Sequence, residues 1–411
     1  MEQLIAIIDL KSFYASCECA ARHLDPFTTP LACCDPYRGK GSVVMSVTPF
    51  LKEKYGVPNV CRKGDLPQVP GLILAQPRMS FYLELSAKVI SIFLDYVAEE
   101  DLHVYSVDES FLNLGPYLSL YPSPEWLVSS IQTRIYKELG LIATAAIGPN
   151  MFLAKVALDQ EGKKKSPYLA RWTYDDVPTK LWSIAPLSKI WGIGRGTSSH
   201  LQRLGIRSLK QLAQSPIELL ESEFGIMGRQ LHDLANGVDR SNIQEHYVPK
   251  ETSLTLGQTL MRDYSKKEAR LLILEMVDEL SHRLRCHQQK AMVVSLWIGY
   301  TDGEQFSKQR KLVAHTSSPK VLHRHIEDLF LEAPNNTMRH LSICFGKLMA
   351  TEDEQLTFDW TSDEEEKERD VLNSLDTIRD VFGPNAALRC SSLLAYSTIR
   401  ERHGQIGGHK R

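Results

Sequence analysis

The sequence contains no hydrophobic run long enough to cross a membrane. Its longest apolar stretch, Ala291 to Tyr300, has ten residues, whereas a membrane-spanning helix needs about 20. Near the amino terminus, Asp9 and Lys11 follow an apolar segment that is too short for a secretory leader. We therefore expect a cytoplasmic protein with no membrane partner.

The sequence also lacks the cysteine spacings that are typical of zinc sites. None of its eight cysteines belongs to a Cys-x-x-Cys pair or has a histidine at a zinc-finger spacing. Cys17 and Cys19 lie two apart on a predicted helix, so they point to different faces. Cys33 and Cys34 are adjacent in a predicted strand. These patterns predict reduced thiols and no structural metal.

No excess of positive charge marks the chain as a nucleic-acid binder. Its 48 basic residues are matched by 50 acidic ones, and the net charge is −2. The charge is unevenly distributed, however, because residues 351–370 carry ten acidic and two basic side chains. That segment has a net charge of −8, which leaves +6 for the rest of the chain. A basic body with an acidic segment is compatible with binding to a phosphate backbone.

The sequence does contain enough apolar residues for large cores. With 411 residues, 43% of them hydrophobic, the chain is expected to form roughly two to four domains. Strands and helices alternate to about residue 165, which predicts an α/β domain, and short helices follow to about residue 240. Over 252–348 the predicted order is β-α-β-β-α-β, which is ferredoxin-like. A charged helix is predicted over 363–382.

Two short stretches each combine a buried strand with carboxylates. They are IAIIDLKSFYASCE (5–18) and HVYSVDESFLNL (103–114). Asp9 follows the first strand, and Asp108 and Glu109 lie at the corner of a predicted hairpin. Each feature alone is more often a helix cap or a solvent-facing turn. If neighbouring strands bring the three carboxylates together, they repel one another unless divalent cations neutralise them. The combination predicts a two-metal phosphoryl-transfer centre.

The residues of these stretches also resemble a known family. DLKSFYASCE and YSVDESFLNL are similar to the two signature motifs of the Y-family translesion DNA polymerases, of the UmuC/DinB or ImpB/MucB/SamB type. The resemblance continues to the last residue through AIGPNMFLAKVALD, WGIGRGTSSHLQRLGI and ERHGQIGGHKR. It is closest to the UmuC-like proteins of Gram-positive bacteria and their mobile elements. It implies an error-prone translesion DNA polymerase that acts in DNA repair and the SOS response.

The resemblance implies a right-hand polymerase architecture. The expected parts are an α/β palm (1–25 and 75–165), a small fingers insertion (26–74), an all-α helix-hairpin-helix thumb (166–240), a linker (241–250), a ferredoxin-like α+β little finger (251–350), and an acidic linker, helix and tail (351–411).

The resemblance also implies the catalytic residues. Asp9, Asp108 and Glu109 would be the catalytic carboxylates. These side chains and the Leu10 carbonyl would hold two Mg²⁺ ions. The primer 3′-hydroxyl would attack the α-phosphate of a deoxynucleoside triphosphate and release pyrophosphate.

Several nucleotide-binding residues follow from the same resemblance. Tyr14 matches the family's steric gate, whose ring would lie beneath the sugar, where a 2′-hydroxyl would clash with it. Phe13 would pack beside Tyr14. Val44 and Ser46 match the small residues above the nascent base pair, which leave room for damaged templates.

Two positions depart from the family pattern. Phe50 and Glu53 lie where many relatives have a Tyr and an Arg that bind the triphosphate. Lys52 or Lys54, on either side of Glu53, would supply the missing charge. A family lysine near Asp159 also contacts the triphosphate. Its candidates are Lys163, Lys164 and Lys165, of which the first two are favoured.

Two regions are implied as DNA contacts. In the predicted thumb, Gly192, Ile193 and Gly194 resemble a helix-hairpin-helix turn whose backbone N–H groups approach a DNA phosphate. In the predicted little finger, the candidates are Lys308, Arg310 and Lys311. Without the resemblance, these features are an ordinary helix corner and a solvated face.

The acidic segment contains a candidate partner site. Gln355, Leu356 and Phe358, within residues 354–360, begin like the bacterial sliding-clamp-binding consensus. The resemblance also implies primer-template DNA and deoxynucleoside triphosphates as substrates, and UmuD- or RecA-like accessory proteins as partners. Two other classes remain open, which are a non-catalytic DNA-binding accessory factor of the same family and a nucleotide cyclase with similar carboxylates on a related palm.

Overall fold

The chain divides into two compact units, Met1–His246 and Tyr247–Arg411. The structure, a computed structural model, describes residues 4–245, 248–249, 252–351 and 363–411. The division lies within 241–250, the segment predicted to be a linker. No helix in these described ranges is long and apolar enough to span a membrane.

The first unit combines short strands with helices. Its strands are β1 (Ile5–Leu10), β2 (Leu31–Cys33), β3 (Val43–Val44), β4 (Ser46–Val47), β5 (Cys61–Arg62), β6 (Ile73–Ala75), β7 (Leu102–Val104), β8 (Glu109–Asn113), β9 (Ala143–Gly148) and β10 (Leu169–Arg171). Its α-helices are α1 (Phe13–Ala20), α2 (Pro49–Tyr55), α3 (Met79–Leu94), α4 (Pro124–Leu139), α5 (Met151–Ala157), α6 (Arg195–Arg203), α7 (Leu209–Gln214), α8 (Ile217–Phe224) and α9 (Ile226–Ala235).

A five-stranded sheet lies at the centre of this unit, in the order β10-β9-β1-β8-β7. The middle strand, β1, is antiparallel to both β8 and β9. It is buried along almost its whole length because its residues are apolar up to Asp9. The register places Asp9 opposite Glu109 on one side and Thr144 on the other. The unit therefore contains the predicted α/β palm, with carboxylates at one end of its central strand.

The helix α5 leads directly to this end of the sheet. All seven of its residues are buried, although one of them is Lys155. A π-helical turn, Leu158–Gly162, follows. A Cβ atom on Gly162 would lie 2.5 Å from the carbonyl oxygen of Ala145, so only glycine allows the turn to approach β9 this closely. Lys163 immediately follows the turn.

One short strand differs from the prediction. The sequence predicts an all-helical segment over 166–240, but β10 pairs in parallel with β9 and belongs to the palm sheet. A three-residue strand is too short to produce a periodic pattern. In the segment predicted to be the fingers, β3 pairs with β5 and β4 pairs with β2.

The short helices after β10 share one core with the palm. Leu201, Leu209 and Leu212, from α6 and α7, are fully buried. The same hydrophobic cluster includes Phe152 of α5 and Trp172, which follows β10. The helical region is thus packed onto the palm through a continuous apolar interior.

The second unit contains the predicted β-α-β-β-α-β order. Its elements are β11 (Ser253–Tyr264), α10 (Lys266–Cys286), β12 (Gln289–Tyr300), β13 (Gln305–Thr316), α11 (Pro319–Leu331), β14 (Met338–Gly346), β15 (Met349–Ala350), α12 (Asp363–Phe382), α13 (Ile399–His403), β16 (Gln405–Ile406) and β17 (His409–Lys410). The main sheet has the order β11-β14-β12-β13, and every pairing is antiparallel. Each β-α-β half is split, because β14 lies between β11 and β12, and β12 lies between β14 and β13.

Polar contacts attach the carboxyl-terminal residues to α10. Glu275 of α10 is fully buried and accepts hydrogen bonds from Ser397 Oγ at 2.6 Å and from the Thr398 N–H at 3.4 Å. Arg285, near the end of α10, donates two hydrogen bonds of 2.7 and 2.9 Å to Asp376 of α12. The helix predicted over 363–382 is confirmed.

Candidate active site

Asp9 lies at the end of β1, in the interior of the palm edge. Its side chain is 14% exposed. Thr144, its neighbour on β9, donates its hydroxyl to the Asp9 backbone carbonyl at 3.2 Å and to Oδ1 at 3.3 Å. The strand pairing with β8 places Glu109 on its other side. Two of the three predicted carboxylates are therefore cross-strand neighbours.

Asp108 occupies the turn between β7 and β8. Its backbone carbonyl accepts a hydrogen bond of 2.9 Å from the Leu10 N–H, which holds the turn against the end of β1. Its Oδ1 accepts a hydrogen bond of 2.7 Å from Ser106 Oγ. The N–H groups of Tyr105 and Ser106 both donate to the Glu109 carbonyl, at 3.0 and 2.9 Å. This tight turn brings the predicted metal-binding residues Asp9, Leu10, Asp108 and Glu109 to one edge of the sheet.

Two lysines pair with these carboxylates. Lys163 Nζ lies 3.0 Å from Asp9 Oδ2 and 3.1 Å from Asp159 Oδ1. Lys155, buried on α5, forms an ion pair with Glu109 and lies 3.5 Å from Asp159 Oδ1. Lys163 is among the residues predicted from the sequence. Lys155 is not, because a lysine within an apolar helical pattern gives no signal of its partner.

The electrostatics of Asp9 reflect its burial. Burial raises the pKa of Asp9 to about 6, against the lowering effect of Lys163, and the charges of Glu109 and Asp108 raise it further. Burial alone would lower the pKa of Lys163, but Asp9 and Asp159 raise it. The ionised form of Asp9 is therefore disfavoured mainly because burial removes its carboxylate from water.

The donor set fits a hard divalent cation. Carboxylate and carbonyl oxygens are the ligands that Mg²⁺ and similar ions prefer, and the mutual repulsion seen at Asp9 is what such a cation relieves. Among the described residues, the oxygens of the three carboxylates do not all lie within 4.8 Å of one another. Asp9 and Glu109 each form an ion pair with a lysine.

Tyr14 lies next to this carboxylate edge, on the first turn of α1. Its ring is half-buried and contacts the rings of Phe13 and Tyr82 at centroid distances of 5.5 and 5.1 Å. Burial raises the pKa of Tyr14, and the nearby charge of Asp108 raises it further. Ser12, which precedes α1, has a left-handed backbone conformation with φ of +53°. The predicted gate residue is thus positioned beside the predicted catalytic residues.

A buried polar network lies beneath Tyr14. Glu18 is fully buried, accepts hydrogen bonds from Arg78 at 2.9 and 3.1 Å and from Tyr82 OH at 2.8 Å, and pairs with Arg22. Burial alone would raise the pKa of Glu18, but these hydrogen bonds lower it. Glu18 is the last residue of the motif 5–18, but the sequence does not predict its role, because its partners Arg78 and Tyr82 are distant along the chain.

The predicted fingers residues occupy different positions around the site. Val44 and Ser46 are buried. Burial lowers the pKa of Lys52 to about 8, and the next largest effects come from Lys11 and Asp9, so its ammonium is near the carboxylate edge. Lys54 is exposed, and its ammonium lies 5.1 Å from the centre of the Phe50 ring. Lys52 is therefore better placed than Lys54 to supply the positive charge that many relatives have in an Arg at the position of Glu53.

Glu53 is exposed and interacts with cations on the chain itself. Burial lowers the pKa of Lys11, and Glu53 and Asp9 partly counteract this effect. Lys11 Nζ donates a hydrogen bond of 3.0 Å to the Lys163 carbonyl. Of the three lysines predicted near Asp159, Lys163 reaches the site, whereas Lys164 and Lys165 are exposed.

The predicted thumb turn precedes α6. Gly192 has φ of +91°, and Gly194 is the N-cap of α6. Ile193 is buried, and its N–H donates to the Ile190 carbonyl at 3.0 Å. The N–H of Ile193 is thus used within the turn, which favours the two glycines as the DNA contacts. The contact of all three residues with DNA stays a prediction.

The predicted basic residues of β13 are partly neutralised. Lys308 forms an ion pair with Glu332, and Arg310 donates a hydrogen bond of 2.7 Å to Asp328. Lys311 is exposed on this edge strand. The predicted clamp-binding residues, Gln355, Leu356 and Phe358, lie outside the described residues.

Comparisons with known proteins cover almost the whole chain. Residues 8–159 match the impB/mucB/samB family, and residues 251–358 match the C-terminal domain of that family. Residues 188–239 match the thumb domain of DNA polymerase iota.

Individual relatives and a solved structure agree with these matches. A Bacillus subtilis (strain 168) protein named UvrX for UV-damage repair is 36% identical over 411 residues, which cover 99% of this chain and 97% of the relative. DNA polymerase IV 2 of the same organism is 31% identical over 416 residues, 99% of each chain. A Y-family DNA polymerase chimera of Dbh and Dpo4 has a TM-score of 0.68 over 84% of this chain and 99% of its own. At 19% identity, this last likeness shows the fold alone.

A palm with three carboxylates at the end of its central strand, a helical thumb and a β-α-β-β-α-β unit define a right-hand nucleic-acid polymerase. The chain belongs to the impB/mucB/samB family of Y-family polymerases. Its enzyme class is that of the DNA-directed DNA polymerases. The domain boundaries and the roles of single residues remain predictions.

Proposed function

We propose that this protein is an error-prone translesion DNA polymerase that extends a primer opposite damaged template bases by two-metal phosphoryl transfer. The observation that carries the proposal is the position of Asp9, Asp108 and Glu109 at one sheet edge beside the half-buried ring of Tyr14. Its substrates are primer-template DNA and deoxynucleoside triphosphates.

The carboxylate edge would hold the cations. Asp9 and Asp108 would bind both Mg²⁺ ions, together with the Leu10 carbonyl, and Glu109 would bind the ion nearer the primer hydroxyl. Bound Mg²⁺ would offset charge that develops on the phosphates and make the primer hydroxyl a better nucleophile. Thr144 and Ser106 orient the oxygens of Asp9 and Asp108 through hydrogen bonds.

The surrounding cations would bind the triphosphate. Lys163 forms an ion pair with Asp9, and the charge of Asp9 affects the pKa of Lys52, so both ammonium groups are near this carboxylate. Both side chains would be free to pair with phosphate oxygens once the carboxylates bind cations. Lys155, buried beside Glu109, would keep that carboxylate oriented. Phe50 offers no hydroxyl for the phosphates, which leaves this task to the lysines.

The remaining features support damage tolerance. Val44 and Ser46 are small and buried at the fingers, where small side chains leave room for altered bases. Gly192 and Gly194 of the thumb and Lys311 of β13 would bind the DNA backbone. A role in the SOS response, docking on the sliding clamp and help from UmuD- or RecA-like proteins complete the proposal.

Primer extension with the purified protein tests this function. Asp9→Ala, Asp108→Ala and Glu109→Ala should each reduce nucleotide addition by about a hundredfold to a thousandfold, since loss of a key electrostatic group costs about 2.7–4 kcal/mol in the transition state. Primer-template binding, measured by fluorescence anisotropy, should persist because the DNA contacts are elsewhere.

The matched control is Asp95→Ala, which removes a carboxylate that is 54% exposed and pairs with Arg134. This variant should extend primers at the wild-type rate. Wild-type extension by any of the three site variants would contradict the assignment. A wild-type protein that binds DNA without extending primers would favour the non-catalytic accessory factor.

A further inference from the structure

A cluster of potential metal-ligand residues lies on the second unit. His282 and Cys286 are one turn apart on α10, and Asp380 of α12 faces them. One potential ligand atom from each residue can be chosen so that all three lie within 4.8 Å of one another. In the part of the chain that the structure describes, no other three His, Cys, Asp or Glu residues meet this criterion.

The imidazole of His282 is oriented by a carboxylate. His282 Nδ1 lies 2.9 Å from Asp376 Oδ1. Asp376 is itself held by two hydrogen bonds from Arg285, of 2.7 and 2.9 Å. When the ring proton is on Nδ1 and is donated to Asp376, the lone pair of Nε2 is available to bind a metal ion. This arrangement of a carboxylate behind a histidine is typical of metal ligands in proteins.

The separation of the sulfur and nitrogen atoms suits zinc. Cys286 Sγ lies 3.6 Å from His282 Nε2 and 3.7 Å from Nδ1. Zn–S and Zn–N bonds of about 2.3 and 2.0–2.1 Å at a tetrahedral angle place the two ligand atoms about 3.5 Å apart. The i,i+4 spacing keeps both side chains on one helix face, and rotation of the Cys286 side chain would direct its sulfur to the Nε2 side of the ring.

The third ligand is available and comes from another helix. Asp380 is exposed, and within the described ranges its carboxylate has no ion pair or hydrogen bond, unlike Asp376 on the same helix. One of its oxygens lies within 4.8 Å of a ring nitrogen of His282 and of Cys286 Sγ. The carboxylate of Asp380 thus lies beside a thiol and an imidazole but belongs to no ion-pair network. An ion-pair network therefore does not explain its position in the cluster.

We propose that His282 Nε2, Cys286 Sγ and one carboxylate oxygen of Asp380 bind a Zn²⁺ ion, with water as the fourth ligand. The thiol loses its proton to solvent when the metal binds. Sulfur and nitrogen ligands favour zinc over the Mg²⁺ that the oxygen-rich palm edge prefers. The ion would join α12 to α10 and so fasten the charged helix that follows the acidic segment. The site was not predicted from sequence because Asp380 is far along the chain from the other two ligands.

Cobalt titration of the chelator-stripped, full-length protein tests this site. Co²⁺ bound by a thiolate gives a near-ultraviolet charge-transfer band, which the oxygen ligands of the palm cannot produce. We expect one such Co²⁺ per chain, displaced by one Zn²⁺. Cys286→Ser should abolish the band, and Asp380→Asn should weaken binding by at least about tenfold.

Cys390→Ser is the matched control, because Cys390 is also an exposed thiol on this unit. It should leave the band and the affinity unchanged, and all three variants should extend primers at the wild-type rate. A band that persists in Cys286→Ser, full affinity in Asp380→Asn, or no thiolate band in the wild type would overturn the proposal. Circular dichroism spectra of the variants verify that they are folded.

Discussion

The ring of Tyr14 is fixed by the aromatic side chains around it. Phe13 and Tyr82 contact it, and both are buried. Tyr82 is held in turn by its hydrogen bond to Glu18. These contacts restrict movement of the ring, as the proposed steric gate against a 2′-hydroxyl requires.

We therefore predict that Tyr14→Ala increases ribonucleotide insertion relative to deoxynucleotide insertion. The expected increase is about tenfold or more, which corresponds to about 1.4 kcal/mol of transition-state discrimination. The measurement is the ratio of kcat/KM values for ribonucleotides and deoxynucleotides on one template. Tyr14→Phe keeps the ring and should keep the wild-type ratio. An unchanged ratio in Tyr14→Ala would assign the gate to another residue.

Lys163 and Lys164 are adjacent but have different environments, which gives a second prediction. Lys163 pairs with Asp9, whereas Lys164 is exposed. Lys163→Ala should raise the KM for deoxynucleoside triphosphates about tenfold, or about 1.4 kcal/mol, because a phosphate contact is lost. Lys164→Ala should change KM little. Similar KM values for the two variants would show that Lys163 does not bind the triphosphate.

The same variant should change the pH dependence. The pKa of Asp9 is raised to about 6 by burial, and Lys163 opposes this rise. Asp9 must be ionised to bind a cation, so extension at limiting Mg²⁺ should fall as the pH decreases through this region. Without Lys163 the pKa of Asp9 rises further, and the midpoint of the pH profile should move to higher pH in Lys163→Ala but not in Lys164→Ala.

At this scale, sequence reasoning found the residues that stand at the ends of strands. Asp9, Asp108 and Glu109 were predictable because an apolar strand that ends on a carboxylate is visible in the sequence. Lys155 and Glu18 were not, because each is a buried charge whose meaning depends on partners from other elements. Helical periodicity shows that such a residue is on a buried face, but it does not show which side chains contact the residue there.

The elements of the second unit were easier to predict than those of the first. Its long strands and helices have clear periodicities, and the order predicted over 252–348 is the observed one. In the palm, β10 has three residues and the turn 158–162 is π-helical. Neither has a sequence pattern of its own. Both depend on packing against β9, as the close contact between Gly162 and Ala145 illustrates.

The start of α10 allows a prediction at the level of an element. Ser265 is its N-cap, and Glu268 completes a capping box by accepting a hydrogen bond of 3.0 Å from the Ser265 N–H. Ser265→Ala should destabilise this helix end by about 1 kcal/mol, because the side chain no longer accepts from the helix N–H groups. Hydrogen exchange of the α10 amides in the full-length protein measures this loss of stability at the start of the helix.

Ser265→Thr is the control for this prediction, since threonine can also accept the capping hydrogen bond. Its exchange rates should remain near those of the wild type. If Ser265→Ala also leaves the exchange of α10 unchanged, then packing against the sheet, and not the capping box, determines the stability of this helix end.

For the whole molecule, the order of motifs was more informative than composition. Periodicity alone predicts an α/β region, a helical region and a β-α-β-β-α-β region, which many unrelated proteins could combine. The resemblance assigned each region to a part of one polymerase, and relatives that cover 99% of the chain confirm the family. The net charge of −2 would have argued against a DNA enzyme, because the acidic segment conceals the positive charge of the rest.

That acidic segment carries the last prediction, which is docking on the sliding clamp. Glu354-Gln355-Leu356-Thr357-Phe358 begins like the bacterial clamp-binding consensus, but Phe358 is followed by Asp359 and Trp360 where the consensus ends in Leu-Phe. Two apolar anchors in a groove of the clamp would tether the polymerase and raise its local concentration at the primer end.

Replacing Gln355, Leu356 and Phe358 together with Ala should therefore weaken clamp binding by at least about tenfold, or about 1.4 kcal/mol. Clamp-stimulated synthesis on long templates should fall accordingly, while basal extension on short templates should stay at the wild-type rate, because the palm is unchanged. Thr357→Ala alters the same segment without removing an anchor and should behave like the wild type. If the triple variant retains both clamp binding and clamp stimulation, the segment does not dock on the clamp, and the polymerase must reach the primer end by its DNA contacts alone.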